Sequence, residues 1–239
     1  MNRWMWRTAA VVVLCSALPG AAAARTRGVR FSKPRARRGE VHRLRAAPAE
    51  WPRPEVLDVA LRAYQCGRAE GQFDSPILTV IDYSLPSTEK RLWVIDLAKR
   101  QLLFHELVAH GQNSGEAYAV EFSNRPQSRQ SSLGLFRTDD VYDGRHGESL
   151  RLIGLEPGIN DRAEERRIVM HGAAYVNARV VQRFGKLGRS WGCPAVDRAV
   201  LPRILQHIKE GTALFAYYPD SHWLRQSRFL QCDANLAAK

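Results

Sequence analysis

Neither a Cys-x-x-Cys nor a His-x-x-x-His spacing occurs anywhere in the 239 residues, which removes the usual frameworks of a zinc site. No internal repeat is visible, and no low-complexity tract apart from one basic stretch near the N-terminus. Acidic residues are almost missing from positions 1–45, where Glu40 stands alone against eleven Arg and Lys. The rest of the chain holds 25 basic and 23 acidic side chains, so the net charge of +12 belongs to the N-terminal segment and the body is nearly balanced. An apolar run of spanning length is lacking too. Thr8 to Ala24 is uncharged but shorter than the roughly 20 residues a transmembrane helix needs, and Pro19-Gly20 interrupts it.

What is present at the N-terminus has the layout of a secretory signal. Arg3 and Arg7 precede a Val/Leu/Ala core that ends in an alanine run before Arg25. Residues 1–24 are therefore expected to be a signal peptide, and the protein to be exported to the periplasm or cell envelope. Residues 25–50 follow as a basic, apolar-poor linker expected to be disordered, with adhesion to an anionic envelope surface as its sharper alternative. An exported address excludes nucleic acid as the partner of that charge. A single domain is expected over 51–232, with a short tail at 233–239.

Cysteine is scarce as well. Cys15 falls inside the signal segment, which leaves Cys66, Cys193 and Cys232 in the mature chain, an odd number for an oxidising compartment. A Cys66–Cys232 pair would tie the two ends of the domain together and leave Cys193 free; three free thiols are the alternative.

Within the domain, residues 54–72 read as a helix, with Val56, Leu57, Ala60, Leu61 and Tyr64 on one face and Pro54 in the first turn. Strands are expected at 77–83, 91–97 and 101–109, the last two forming a hairpin. Residues 111–132 form a long polar segment of the kind that serves as a lid or binding loop. Short strands follow at 134–138, 149–155 and 167–171. A helix is expected at 174–184 with Val176, Val180, Val181 and Phe184 on its inner face, and a glycine-rich loop at 185–195. Asp197 reads as the N-cap of a helix closing at Gly211, and a strand is expected at 212–218. Many strands with a few covering helices make an α+β, β-rich domain.

The chemistry concentrates in HGAAYVNARVVQRFGKLGRSWGCPA, from His171 to Ala195. Cys193 sits in a Ser190-Trp191-Gly192-Cys193 loop, and His171 ends a strand. A cysteine titrates near 8.5, so a nucleophilic thiol needs a base at hand. It also needs backbone N–H groups aimed at the developing oxyanion, which glycine beside it lets a substrate approach. A buried structural cysteine and a core histidine are the plain alternatives. His105 and His110 lie an odd number of residues apart on one expected strand, so they face opposite sides and form no metal pair.

This stretch resembles the murein L,D-transpeptidase catalytic domain (YkuD-like), whose signature is a histidine, a spacer, then Ser/Thr-His-Gly-Cys followed by an apolar residue and Asn. It is most similar to a branch reading SWGCPA. Segments LTVIDYSLPSTEKRLWVIDL, LVAHGQNSG, SSLGLF, GRHGESLRLIGLEPGIND and IVMHGAAYV extend the likeness over roughly 51–232. The resemblance implies a β-sandwich with flanking helices and no cofactor. It implies Cys193 as nucleophile, His171 as base, the Gly172 carbonyl as orienter of the ring, and the Gly192 and Cys193 amides as oxyanion hole. Ser190, Arg189, Trp191, His146 and His110 become substrate-groove candidates. Trp191 and Ala195 stand where the signature has histidine and asparagine.

The reaction implied is transfer of a peptidoglycan tetrapeptide stem through a cysteinyl thioester to an amine, with carbapenems as expected inhibitors. Hydrolysis of the same thioester, as in an L,D-carboxypeptidase, is the nearest alternative. A catalytically silent wall-binding module is the alternative of another class.

Overall fold

The computed structural model describes residues 50–232. The expected signal peptide, nearly all of the basic linker and the C-terminal tail lie outside them. Among the described residues no helix is long and apolar enough to cross a membrane.

The first helix, α1 (Pro54–Ala69), forms where the spacing requires it. Pro54 occupies its first turn, where the missing N–H costs nothing, and Val56, Leu57, Ala60, Leu61 and Tyr64 are buried along one face. It stops earlier than expected because Gly71 adopts a left-handed φ of 73°. Strands β1 (Ile77–Asp82), β2 (Leu92–Asp96) and β3 (Gln101–Glu106) follow as an antiparallel meander. Next come β4 (Gly134–Gly144), β5 (Gly147–Gly154), β6 (Val169–Ala173), helix α2 (Ala178–Phe184) and β7 (Ala195–Asp197). Helix α3 (Leu201–Ile208), β8 (Ala213–Tyr217) and α4 (Ser221–Gln226) complete the order.

All eight strands belong to one sheet in the order β3-β2-β1-β8-β4-β5-β6-β7. β1 and β8 pair in parallel at its centre, and both are buried almost throughout, as strands covered on two faces must be. Helix α1 packs on β1 and β8, and α3 packs on β1. The two edge strands are tied together, because the chain leaving β3 runs across to β7, where the Ala109 N–H donates to the Ala195 carbonyl at 2.8 Å. A sheet whose ends meet in this way has to curl, and the large apolar cluster fills the space inside. The architecture is thus β-rich α+β with flanking helices.

Several local expectations change. β3 ends at Glu106, three residues early, because 107–111 leaves β2 to bridge the far edge. β4 continues to Gly144 instead of stopping at Thr138, so β4 and β5 form one long hairpin, bulged between Thr138 and Val141. Helix α2 starts only at Ala178, capped by the Asn177 side chain, and buries none of its residues; Phe184 is 60% exposed. Asp197 does not cap α3. It closes β7, its carboxylate accepting from Ala199 N–H, and Val200 begins the helix. Cys66 on α1 is disulfide-bonded to Cys232, with Cα atoms 5.9 Å apart, and Cys193 is free.

Candidate active site

Cys193 and His171 come together through the parallel pairing of β6 with β7. His171 stands opposite Ala195 in the register, and its N–H donates to the Pro194 carbonyl at 3.3 Å. The Cys193 loop therefore runs into β7 directly alongside the strand that carries the histidine. His171 is buried, and its Nδ1 lies 3.2 Å from the Gly172 carbonyl. A carbonyl only accepts, so Nδ1 carries the proton and Nε2 is left as the basic nitrogen. Burial lowers the His171 pKa below the ordinary imidazole value, partly countered by the Gly172 bond and reinforced by His146 and Arg198. The ring is thereby held in the neutral form that a general base requires.

Cys193 is half-buried, and its thiol is pushed above its ordinary pKa chiefly by burial, with the Val169 N–H and Arg166 acting the other way. The sulfur accepts from Val169 N–H at 3.5 Å and faces the Arg167 carbonyl at 3.6 Å. Among the described residues no hydrogen bond joins it to a His171 nitrogen. The resting form is a thiol turned along β6, two residues from the histidine on the same strand.

Ser190 braces the loop. Its hydroxyl donates to the Cys193 carbonyl at 2.6 Å and accepts from Gly192 N–H at 3.1 Å. The Gly192 amide, expected as an oxyanion donor, is therefore already engaged. Gly192 itself has to be glycine: φ is +123°, and a Cβ would meet the Gln130 carbonyl at 2.7 Å. Trp191 points outward, 65% exposed, with the Arg129 guanidinium 4.7 Å above its ring.

His110 is not a groove residue. It is fully buried, with Nδ1 accepting from Arg91 at 2.7 Å and Nε2 facing the Gly115 carbonyl at 3.3 Å. Burial first, then the Arg91 charge, depresses its pKa to about 4. Its backbone carbonyl accepts from Ser190 N–H at 3.0 Å, so it anchors the Cys193 loop. Arg189 is likewise occupied: its guanidinium donates to the Gln112 and Gly115 carbonyls and pairs with Glu116 at 2.6 Å. Direct capture of a substrate carboxylate by Arg189 Nη1 would first have to displace Glu116. His146, by contrast, reaches the site, its ring stacked on His171 with centroids 4.5 Å apart.

Segment 111–132 is a bonded wall and not a free lid. Arg166 clamps it, with Nη1 donating to the Ser123 carbonyl at 2.5 Å and to Ser132 Oγ, and Nη2 to Ser128 Oγ and the Gln130 carbonyl. Ser131 Oγ accepts from Gly111 N–H and donates to the Gly192 carbonyl at 3.1 Å, which ties the wall to the Cys193 loop. Arg166 is the cation whose field favours the Cys193 thiolate. Sequence reasoning missed Arg166, Arg91 and Arg129. Each acts through contacts with residues far away in the chain, and arginine ordinarily reads as surface.

A family model described as the L,D-transpeptidase catalytic domain matches residues 49–217. Comparison with curated proteins gives no match. Similar solved structures include an L,D-transpeptidase from Mycobacterium smegmatis, 12% identical with a TM-score of 0.37, covering 60% of this chain and 59% of that one. Mycobacterium tuberculosis L,D-transpeptidase 1 is 12% identical, with a TM-score of 0.34 and coverage of 60% and 62%. The helical cell shape determining protein of Campylobacter jejuni is 11% identical, with a TM-score of 0.39 and coverage of 67% and 57%. This chain spans about three fifths of the length of these structures.

Proposed function

This chain belongs to the L,D-transpeptidase catalytic domain family, and we propose that it transfers peptidoglycan stem peptides through a thioester on Cys193. The observation that carries the reading is the free cysteine on the loop entering β7, beside a buried, neutral His171 whose Nδ1–H is held by the Gly172 carbonyl. In the reaction the thiol leaves the Arg167 carbonyl and gives its proton to His171 Nε2. The sulfur attacks the carbonyl of the third stem residue, the C–N bond to the terminal D-alanine breaks, and His171 returns the proton to the departing amine. An amine of a second stem then attacks the thioester and passes a proton to His171 Nε2; as the C–S bond breaks, the departing sulfur takes that proton back from His171, which restores the thiol and the neutral imidazole.

Ser190 has already engaged the Gly192 amide, so the Cys193 N–H is the donor left for the oxyanion, having no acceptor but its own sulfur among the described residues. Trp191 and Arg129 form an exposed rim beside the loop, suited to a stem-peptide carboxylate because no carboxylate pairs with Arg129 among the described residues. The export signal and basic linker read from the sequence fit an envelope substrate. Carbapenems, as strained acyl donors, should acylate the same thiol.

Mass analysis of muropeptides incubated with the mature protein tests the reading. Loss of D-alanine with crosslinked dimers supports transfer. Tetrapeptides trimmed to tripeptides without dimers would replace transfer by hydrolysis. Unchanged muropeptides would overturn both.

A further inference from the structure

The face of the His171 ring is covered by a second imidazole from a distant part of the fold. The β4–β5 hairpin pairs as far as Gly144 opposite Gly147, leaving Arg145 and His146 as its two turn residues, with Gly147 at a left-handed φ of 77°. β5 pairs with β6 no further than Ser149 opposite His171, so the hairpin tip overshoots the histidine strand. From there His146 folds back, its ring 4.5 Å from that of His171 and inclined by only 22°. His146 is exposed, so nothing in core packing requires an aromatic ring there.

We propose that His146 is a positioning residue for the proposed base: its ring keeps His171 in the orientation set by the Gly172 carbonyl and opposes protonation of Nε2. The inference rests on the proposed role of His171. Two imidazoles in face-to-face contact lose the arrangement when both carry charge, so a proton on either disfavours a proton on the other. The other groups felt by the His171 ring are few. Arg198, on the segment after β7, adds a positive charge in the same sense. Tyr175, after β6, senses Cys193 and Arg198 and is held protonated by burial.

The test reads the ring directly. Imidazole ¹⁵N–¹H NMR across pH gives the His171 midpoint and tautomer in the wild type, His146→Phe and His146→Ala. The turn position is exposed, so folding is checked by the thermal melt. Phenylalanine keeps the stack but not the charge, and its His171 midpoint should move upward with the Nδ1–H tautomer retained. Alanine loses both, so its midpoint should move upward and its tautomer preference weaken. In the rate of acyl transfer, the acid limb should move upward in pH for both variants, and His146→Phe should recover more of the wild-type plateau than His146→Ala. A His171 midpoint unchanged in either variant overturns the proposal. The titration needs no turnover, so an inactive wild type with these shifts would sink the proposed activity and leave this inference standing.

Discussion

Reducing the Cys66–Cys232 bond should cost this domain a large part of its stability. The bond joins residues 166 positions apart, α1 to the segment following α4. Closing a loop of that length removes chain entropy from the unfolded state worth about 5 kcal/mol in the loop-entropy treatment. For a domain of this size each kcal/mol shifts the melting temperature by about 2–4 °C, so reduction should lower it by about 10–20 °C. The segment it secures is otherwise held by burial of Trp223, Phe229 and Leu230 and by the Arg228–Glu70 ion pair. Its partly exposed charges contribute little. The assay is a thermal melt followed by circular dichroism, with and without a phosphine reductant. Cys232→Ala should melt near the reduced wild type and ignore the reductant, since Cys232 is only half-buried and its loss opens little space. Equal melting temperatures in both buffers would refute the reasoning, as would alkylation of both thiols in never-reduced protein.

Two other perturbations probe the platform beneath the Cys193 loop. His110 has its pKa depressed to about 4, so between there and the ordinary imidazole value of 6.5 the unfolded chain takes up a proton that the folded one refuses. Stability should therefore fall as pH drops through that window, by on the order of 3 kcal/mol in all. In His110→Gln, which can still accept from Arg91, that part of the slope in urea midpoints should vanish; an unchanged slope would reject the assignment. Gly192→Ala must adopt a φ of +123° and push its Cβ into the Gln130 carbonyl. It should lose about 1–3 kcal/mol of stability and most acyl-transfer activity, and wild-type values for both would contradict the strained-loop account.

The sequence made some of this legible and hid the rest for physical reasons. The apolar stripe of α1, the β-branched runs of β1 and β2 and the apolar, aromatic run of β8 are local signals, and they fold as written. Cys193 and His171 could be nominated because both lie in one stretch whose strand, glycine loop and short helix fold back on themselves. The reach of the β4–β5 hairpin was invisible: residues 139–147 are polar apart from Val141 and Tyr142, and the bulge after Thr138 breaks the alternation that marks a strand. His146 therefore read as a loop histidine, with no hint that it stacks on His171. β7 is three residues long, below what any periodicity can report. Helix α2 gave the opposite error, since its Val and Phe spacing looks amphipathic while the element lies on the surface. Arg91 and Arg166 stayed hidden because their partners, the Val108 carbonyl and the 123–132 wall, are set only by tertiary folding.

Acylation by imipenem, read by intact-protein mass spectrometry, tests the central claim most directly, because it follows the first covalent step without an acceptor. The wild type should gain a single adduct, mapped to the peptide containing Cys193. Cys193→Ala should gain none. His171→Ala should acylate ~10²–10⁴ times more slowly, the usual worth of base-assisted proton transfer. An adduct that persists in Cys193→Ala, or a His171→Ala protein acylated at the wild-type rate, would contradict the account.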